Sequence, residues 1–229
     1  MKYLLPFIFA LMVLFAARQA GAWPFDTFFK VTIPPWGASD KFAWLPVVRP
    51  TCDVNKNGVN DADDLILGGR EEACRRPTYR SGYYQGGYPP EQEGVCTDVI
   101  WRAFARAGLD LKALIDADIK ERPDVYPRAS KPDPNIDFRR VKNMNVFFSR
   151  HAKSLTVKIV PNDPQNLALW QGGDIVVFKS PDHIAVLSDK RNAEGIPLLL
   201  HNQGPCASEG DDFMSWYSRG IVAHYRFFQ

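Results

Sequence analysis

One thiol and two imidazoles are spaced so that they could do chemistry together. Cys96 sits in GVCTDVIWRAFARAG (Gly94–Gly108), which reads as a helix with the thiol in its first turn and a glycine stop at Gly108. Further along, GGDIVVFKSPDHIAVLSD (Gly172–Asp189) reads as two strands, with His183 at the start of the second. The next strand, within Pro197–Asn202, carries His201 near its end. Side chains alternate along a strand, so two neighbouring strands can present His183 and His201 side by side. A Cys96 helix packed across that sheet would complete a Cys-His-polar triad. A thiolate is the nucleophile, and helix N-terminal amides with a nearby imidazolium can lower its pKa to roughly 3.5–7.5. His183 would take and return the proton, while His201 orients it through the other ring nitrogen. The Cys96 amide could serve in an oxyanion hole. The competing reading is a buried structural thiol with ordinary histidines.

A second cluster has the makings of a cation site. DVNKNGVNDADD (Asp53–Asp64) puts oxygen ligands at loop positions 1, 3, 5, 7, 9 and 12: Asp53, Asn55, Asn57, the Val59 carbonyl, Asp61 and Asp64. Gly58 supplies the sharp turn at position 6. Asp at position 12 departs from the EF-hand pattern, and the spacing resembles the loops of dockerins and thrombospondin type 3 repeats. The expectation is a structural Ca2+; the alternative is an Asn/Asp/Gly turn that caps a helix.

The elements that must position these groups follow from periodicity. Helices are expected at about Asp63–Arg75, Cys96–Gly108, Asp110–Glu121 and Asp137–Ala152, the last with Val141, Met144, Phe147 and Phe148 on one face. Asn135 or Asp137 is the expected N-cap of that last helix, with Arg139 or Arg140 as candidates to reach a substrate carboxylate. Asp98 reads as a helix N-terminal charge. From Leu155 onward come short apolar runs: LTVKIV, DIVVF, IAVLSD, PLLLHN and IVAHYRFF. Helices first and strands later indicate an α+β fold on a largely antiparallel sheet.

The first 22 residues carry Lys2, an apolar run from Leu4 to Ala17 and an Ala20-Gly21-Ala22 cleavage site, the pattern of a secretory signal. Trp23–Cys52 is an aromatic, proline-rich segment, and residues 53–229 are the expected catalytic domain. Removing the signal takes the formal charge from +2 to 0, since Lys2 and Arg18 leave and no acid does. Near-neutrality argues against nucleic acid as a partner. The mature chain has no apolar run approaching the roughly 20 residues of a membrane span. Export would permit disulfides among Cys52, Cys74, Cys96 and Cys206, with three possible pairings. Cys52–Cys74, flanking the acidic loop, is the favoured pair.

Several motifs also carry a resemblance. YQGGYPPEQEGVCTDVI (Tyr84–Ile100) resembles the Tyr-x-Gly-Gly…Cys helix start of NlpC-type, papain-like cell-wall peptidases, and the GGDIVVF…DHIAVLSD hairpin resembles theirs. More closely, GVCTDVI, DPNIDFRRV, WQGGDIVVF, DHIAVLSD, HNQG and AHYRFF resemble domain of unknown function 1287, an exported bacterial family placed near those peptidases. The resemblance implies an NlpC-type, papain-like fold with Cys96 as nucleophile, His183 as base and His201 as third member. It implies Tyr84 beside the oxyanion site, and makes Asn202, on the opposite strand face, the rival of His201. The 87 residues from Cys96 to His183 exceed the usual NlpC spacing, which makes Asp110–Ala152 a helical insertion. The implied activity is an exported cysteine amidase or endopeptidase acting on peptide or amide bonds, with peptidoglycan stem peptides as substrate and no cofactor for catalysis. Two alternatives stand beside it: an acyltransferase using the same thioester, and a non-catalytic, calcium-stabilised envelope-binding module.

Overall fold

A computed structural model describes residues 40–127 and 131–229. The signal segment (1–22) and residues 23–39 of the aromatic, proline-rich segment lie outside the described residues. In chain order the elements are α1 (Asp61–Arg75), β1 (Thr78–Tyr79), β2 (Glu93–Gly94), α2 (Cys96–Arg106), α3 (Leu111–Glu121), α4 (Val141–His151) and β3 (Lys153–Ser154). Then follow α5 (Pro164–Leu167), β4 (Ile175–Phe178), β5 (His183–Arg191), β6 (Pro197–Asn202), β7 (Ala207–Gly210), α6 (Phe213–Arg219) and β8 (Ile221–Arg226). The fold is α+β. Its main sheet has the order β3-β8-β4-β5-β6-β7 and every neighbouring pair is antiparallel.

The sheet is buried on both faces, and strand alternation divides the core. Ile175, Val177, Ile184, Val186 and Leu200 pack into a cluster with Cys96, Ile100 and Phe104 of α2. Their neighbours Val176, Phe178, Ala185, Leu187 and Leu199 pack with Trp170, Phe213 and Trp216 on the other side. This explains why β4 reads as an unbroken apolar run. Helix α2 turns Val99, Ile100, Ala103 and Phe104 inward, all essentially inaccessible to solvent. Truncating a buried ring such as Phe104 to alanine costs about 3–5 kcal/mol.

Two sequence expectations need correction. Leu155–Val160 is not a strand; only Lys153–Ser154 pairs with β8. Side chains take up its backbone groups instead: Asn166 Oδ1 accepts from the Val160 amide, Asn166 Nδ2 donates to the Lys158 carbonyl, and His224 Nδ1 lies 2.9 Å from the Thr156 carbonyl. The Cys52–Cys74 disulfide is also absent, because all four cysteines are free thiols. Its geometry is prohibitive. The Cys52 carbonyl accepts from the Asp61 amide, which fixes Cys52 at the start of α1. Cys74 lies near the far end of that helix, about 20 Å away at 1.5 Å per residue, whereas a disulfide needs Cα atoms within about 7 Å.

Candidate active site

The start of α2 is held by a buried ion pair. Val95 has no capping side chain, and the Asp98 carboxylate reaches back to the Val95 amide at 2.7 Å. The same carboxylate accepts from Trp101 Nε1 at 2.8 Å and from Arg139 Nε and Nη2 at 2.7 and 2.8 Å. Both partners are essentially fully buried. Thr97 Oγ1 adds a hydrogen bond to the Arg139 carbonyl at 3.0 Å, so two residues of the first turn, Thr97 and Asp98, meet Arg139. Arg139 therefore clamps the helix that carries the thiol and is not available to a substrate carboxylate. Arg140 is likewise occupied, by Asp137 at 2.7 Å. Neither Asn135 nor Asp137 caps α4; Asp137 opens a 3-10 turn, and Arg140 is the N-cap residue.

Cys96 itself is buried beside the start of β5. The backbone amides of Ile184, Thr97 and Cys96 favour its thiolate, yet burial outweighs them and, with Asp98 adding to the rise, pushes the thiol up to about 11. The expected lowering of this pKa is thus reversed. No hydrogen bond to a preformed imidazolium offsets the desolvation.

Register brings the histidines together. Val186 pairs with Leu200 and Leu187 with Leu199, so continuing the ladder sets His201 opposite Ala185, diagonal to His183 on one face. His183 Nε2 lies 2.8 Å from His201 Nδ1. The His183 ring stacks on Trp216 at 4.0 Å and 9°, and the Arg219 guanidinium sits 4.6 Å from the Trp216 centroid. Burial first, then the charges of His201 and Arg219, push His183 down to about 3 against the opposing pull of Asp212. His183 Nδ1 makes no hydrogen bond among the described residues, to Cys96 or to any other group. The thiol belongs to the α2-facing cluster and the imidazole packs against Trp216 on the other side; what joins them is β5 itself, whose Ile184 amide, next in sequence to His183, adjoins the thiol.

The structure also separates the two contenders for third place. Asn202 points to the α2 side, where Nδ2 donates to the Pro77 and Gly94 carbonyls at 3.1 and 3.2 Å and Oδ1 accepts from the Gly204 amide. It ties β6 to the chain entering α2 and does not touch His183. His201 does. Tyr84 donates its hydroxyl to Glu93 at 2.7 Å, and its ring lies 5.0 Å from the Arg139 guanidinium. A different tyrosine senses the thiol: burial, and then Cys96, raises the pKa of the Tyr79 phenol.

One member went unseen in the sequence. His201 Nε2 lies 3.2 Å from Asp212 Oδ2, and that hydrogen bond lowers the Asp212 pKa against the effect of burial. Asp212 directly precedes α6, and Trp216 lies on that helix. An acidic pair, Asp211-Asp212, before the apolar pattern FMSWY was the available signal.

The acidic loop curls against the other end of α2. Asn55 Nδ2 donates to the Arg106 carbonyl at 2.7 Å, while the side-chain amides of Asn55 and Asn57 converge on Asp64 Oδ2 at 3.3 and 2.9 Å. Asp64 is fully buried and its Oδ1 has no hydrogen-bond partner, although Arg106 Nε stands at ion-pair distance, 3.2 Å. Asp53 accepts from the Asn57 and Gly58 amides, and Asp61 is turned to the Val54 amide. Among the described residues no cluster of three or more His, Cys, Asp or Glu is poised for a metal.

These features define an α+β protein with a buried thiol at a helix start and a hydrogen-bonded imidazole pair on the adjoining strands. The sequence matches the family described as Domain of unknown function (DUF1287) over residues 66–227, and the chain belongs to that family. It is also 38% identical over 193 residues to the uncharacterized protein YijF of Escherichia coli strain K12, a match covering 80% of this chain and 89% of that protein. No helix among the described residues is long and apolar enough to cross a membrane.

Proposed function

We propose that this protein is an exported cysteine amidase or endopeptidase of papain-like, NlpC-type fold that cleaves peptidoglycan stem peptides. The observation that carries the reading is the placement of Cys96, in the first turn of a helix packed on the sheet, beside the start of β5, where His183 meets His201 of β6. Cys96 Sγ attacks the substrate carbonyl carbon as its proton passes to His183. The amine then leaves with that proton, and water hydrolyses the thioester to a carboxylate and the free thiol. Because thiol and imidazole both rest uncharged, attack and proton transfer are coupled, and the two side chains must first close onto each other. The substrate class and the compartment rest on the NlpC-like motifs and on the N-terminal signal pattern.

The Asp53–Asp64 loop fits a structural Ca2+ by chemistry, since its donors are all hard oxygens. Asp53, Asn55, Asn57, the Val59 carbonyl, Asp61 and Asp64 would hold it. Asp64 Oδ1, which faces Arg106 Nε at 3.2 Å and makes no hydrogen bond, is the buried oxygen an ion would take over. Bound there, the ion would brace the C-terminal end of the Cys96 helix.

The test is digestion of purified peptidoglycan by wild type and Cys96→Ala, with fragments identified by mass spectrometry. New fragments from the wild type alone support the reading and name the bond. Products formed only when an amine is added would indicate acyl transfer, and fragments from neither protein would remove hydrolysis of this substrate.

A further inference from the structure

We infer that Asp212 sets the tautomers of both imidazoles and thereby leaves His183 Nδ1 as the bare, proton-accepting nitrogen; its use as a base rests on the cysteine-hydrolase reading. The argument runs through donors and acceptors whose roles are fixed by type. Trp216 Nε1 is a donor only, and it donates to Gln203 Oε1 at 2.9 Å. The Gln203 amide nitrogen is therefore the end that faces Asp212, to which it donates. The Asp212 carboxylate can only accept, so His201 Nε2, 3.2 Å away, carries the proton. A neutral His201 then has a bare Nδ1, and the contact at 2.8 Å requires the proton on His183 Nε2. By elimination, His183 Nδ1 is bare. It is also the ring nitrogen of the pair with no partner.

Trp216 closes the circuit. Its N–H orients Gln203 at one end, while its ring stacks on His183 at the other. The side-chain carboxylate of Asp212 is about one-third exposed, at the mouth of this chain. The charged and titratable groups that act on His183 are His201, Arg219 and Asp212, with Arg219 across the Trp216 ring. Asp212 is thus a positioning residue: it touches neither the thiol nor His183, and acts through His201.

The test uses the full chain, labelled with 15N at histidine, and two substitutions at a partly exposed position. The chain has four histidines, so assignment by single substitution is practical. In wild type, ring-nitrogen shifts should show His183 and His201 both protonated at Nε2. In Asp212→Ala, a measurable share of both rings should move to the Nδ1-protonated form. Cys96 alkylation by iodoacetamide near neutral pH should then slow by roughly tenfold or more, with a displaced pH profile. Asp212→Asn keeps an acceptor oxygen and should retain the wild-type tautomers. A proton on His183 Nδ1 in wild type, or unchanged tautomers and alkylation in Asp212→Ala, would overturn the inference. The tautomers are read without substrate, so failure to cleave peptidoglycan would remove the hydrolase reading and leave this result standing.

Discussion

Two buried histidines in this protein are built almost alike and differ in one nitrogen. His224 stacks on Trp170 at 4.0 Å and 4°, and His183 stacks on Trp216 at 4.0 Å and 9°. His224 spends both nitrogens, on the Thr156 carbonyl and on Asp174 Oδ2, each at 2.9 Å. Asp174 is in turn gripped by Arg226 at 2.7 and 2.8 Å, so that network ends on itself and holds β8 to the turn before β4. His183 spends one nitrogen on His201, and the network leads on to a partly exposed carboxylate. Burial and stacking are common to both. An unspent nitrogen, on the residue next to the Ile184 amide that adjoins the thiol, is what distinguishes the second.

The comparison can be broken most sharply by exchanging the same substitution between the two sites. His183→Gln should lower cleavage by on the order of 10²–10⁴ while leaving the Tm within a few degrees. His224→Gln should do the reverse, losing about 1–3 kcal/mol through unpaired buried groups and keeping activity in the folded fraction. Equal losses of activity in both, measured at matched folded fraction, would erase the distinction. Removing the clamp on α2 should cost more stability than either. Arg139→Ala strands the buried Asp98 carboxylate, and a loss of about 3–5 kcal/mol is expected, to be read from urea unfolding.

The titrations sharpen the same contrast. His183 falls from 6.5 unfolded to about 3 folded, so the unfolded chain binds the proton first as pH drops. Its share of stability is complete above about pH 6.5 and is lost progressively toward pH 3. Glu209 and Asp118, each held down to about 2 by arginine and other donors against burial, add losses below their ordinary values of 4.5 and 3.8. On the alkaline side Cys96 rises from 9.0 to about 11, so stability is full below pH 9 and declines above it as the unfolded thiol ionises first. Thermal melts should show both limbs, and Cys96→Ser should shrink the alkaline one between about pH 9 and 11, leaving the part due to raised phenols such as Tyr88. The smallest effect expected is from calcium. Withdrawing roughly 10 mM Ca2+ with excess EDTA should lower stability by about 1–3 kcal/mol for a Kd of order 10⁻⁴–10⁻³ M. An unchanged melt, with no metal in the protein, would remove the ion.

Much of this arrangement was legible in the sequence because it depends on local periods. The stop at Gly108 after a helical run gave α2, and alternation along two neighbouring strands put His183 and His201 on one face and Asn202 on the other. What escaped depends on long-range pairing or on short elements. LTVKIV has the composition of a strand, but Asn166 and His224 take its backbone bonds, and nothing local announces that. Asp212 lies 11 residues past His201 and reaches it only because β7 and α6 fold back along β6. Burial of Cys96 was invisible too. A thiol at a helix start reads as activated until its solvent access is known.

The central claim is that Cys96 is acylated with His183 as its base, and the most direct measurement is the intact mass of acid-quenched protein. The protein mixed with peptidoglycan fragments should gain the mass of the acyl half as a thioester mapped to Cys96. His183→Gln should gain it far more slowly, and Cys96→Ala not at all. Fragment release by Cys96→Ala at the wild-type rate, with no adduct on the wild type, would contradict the account.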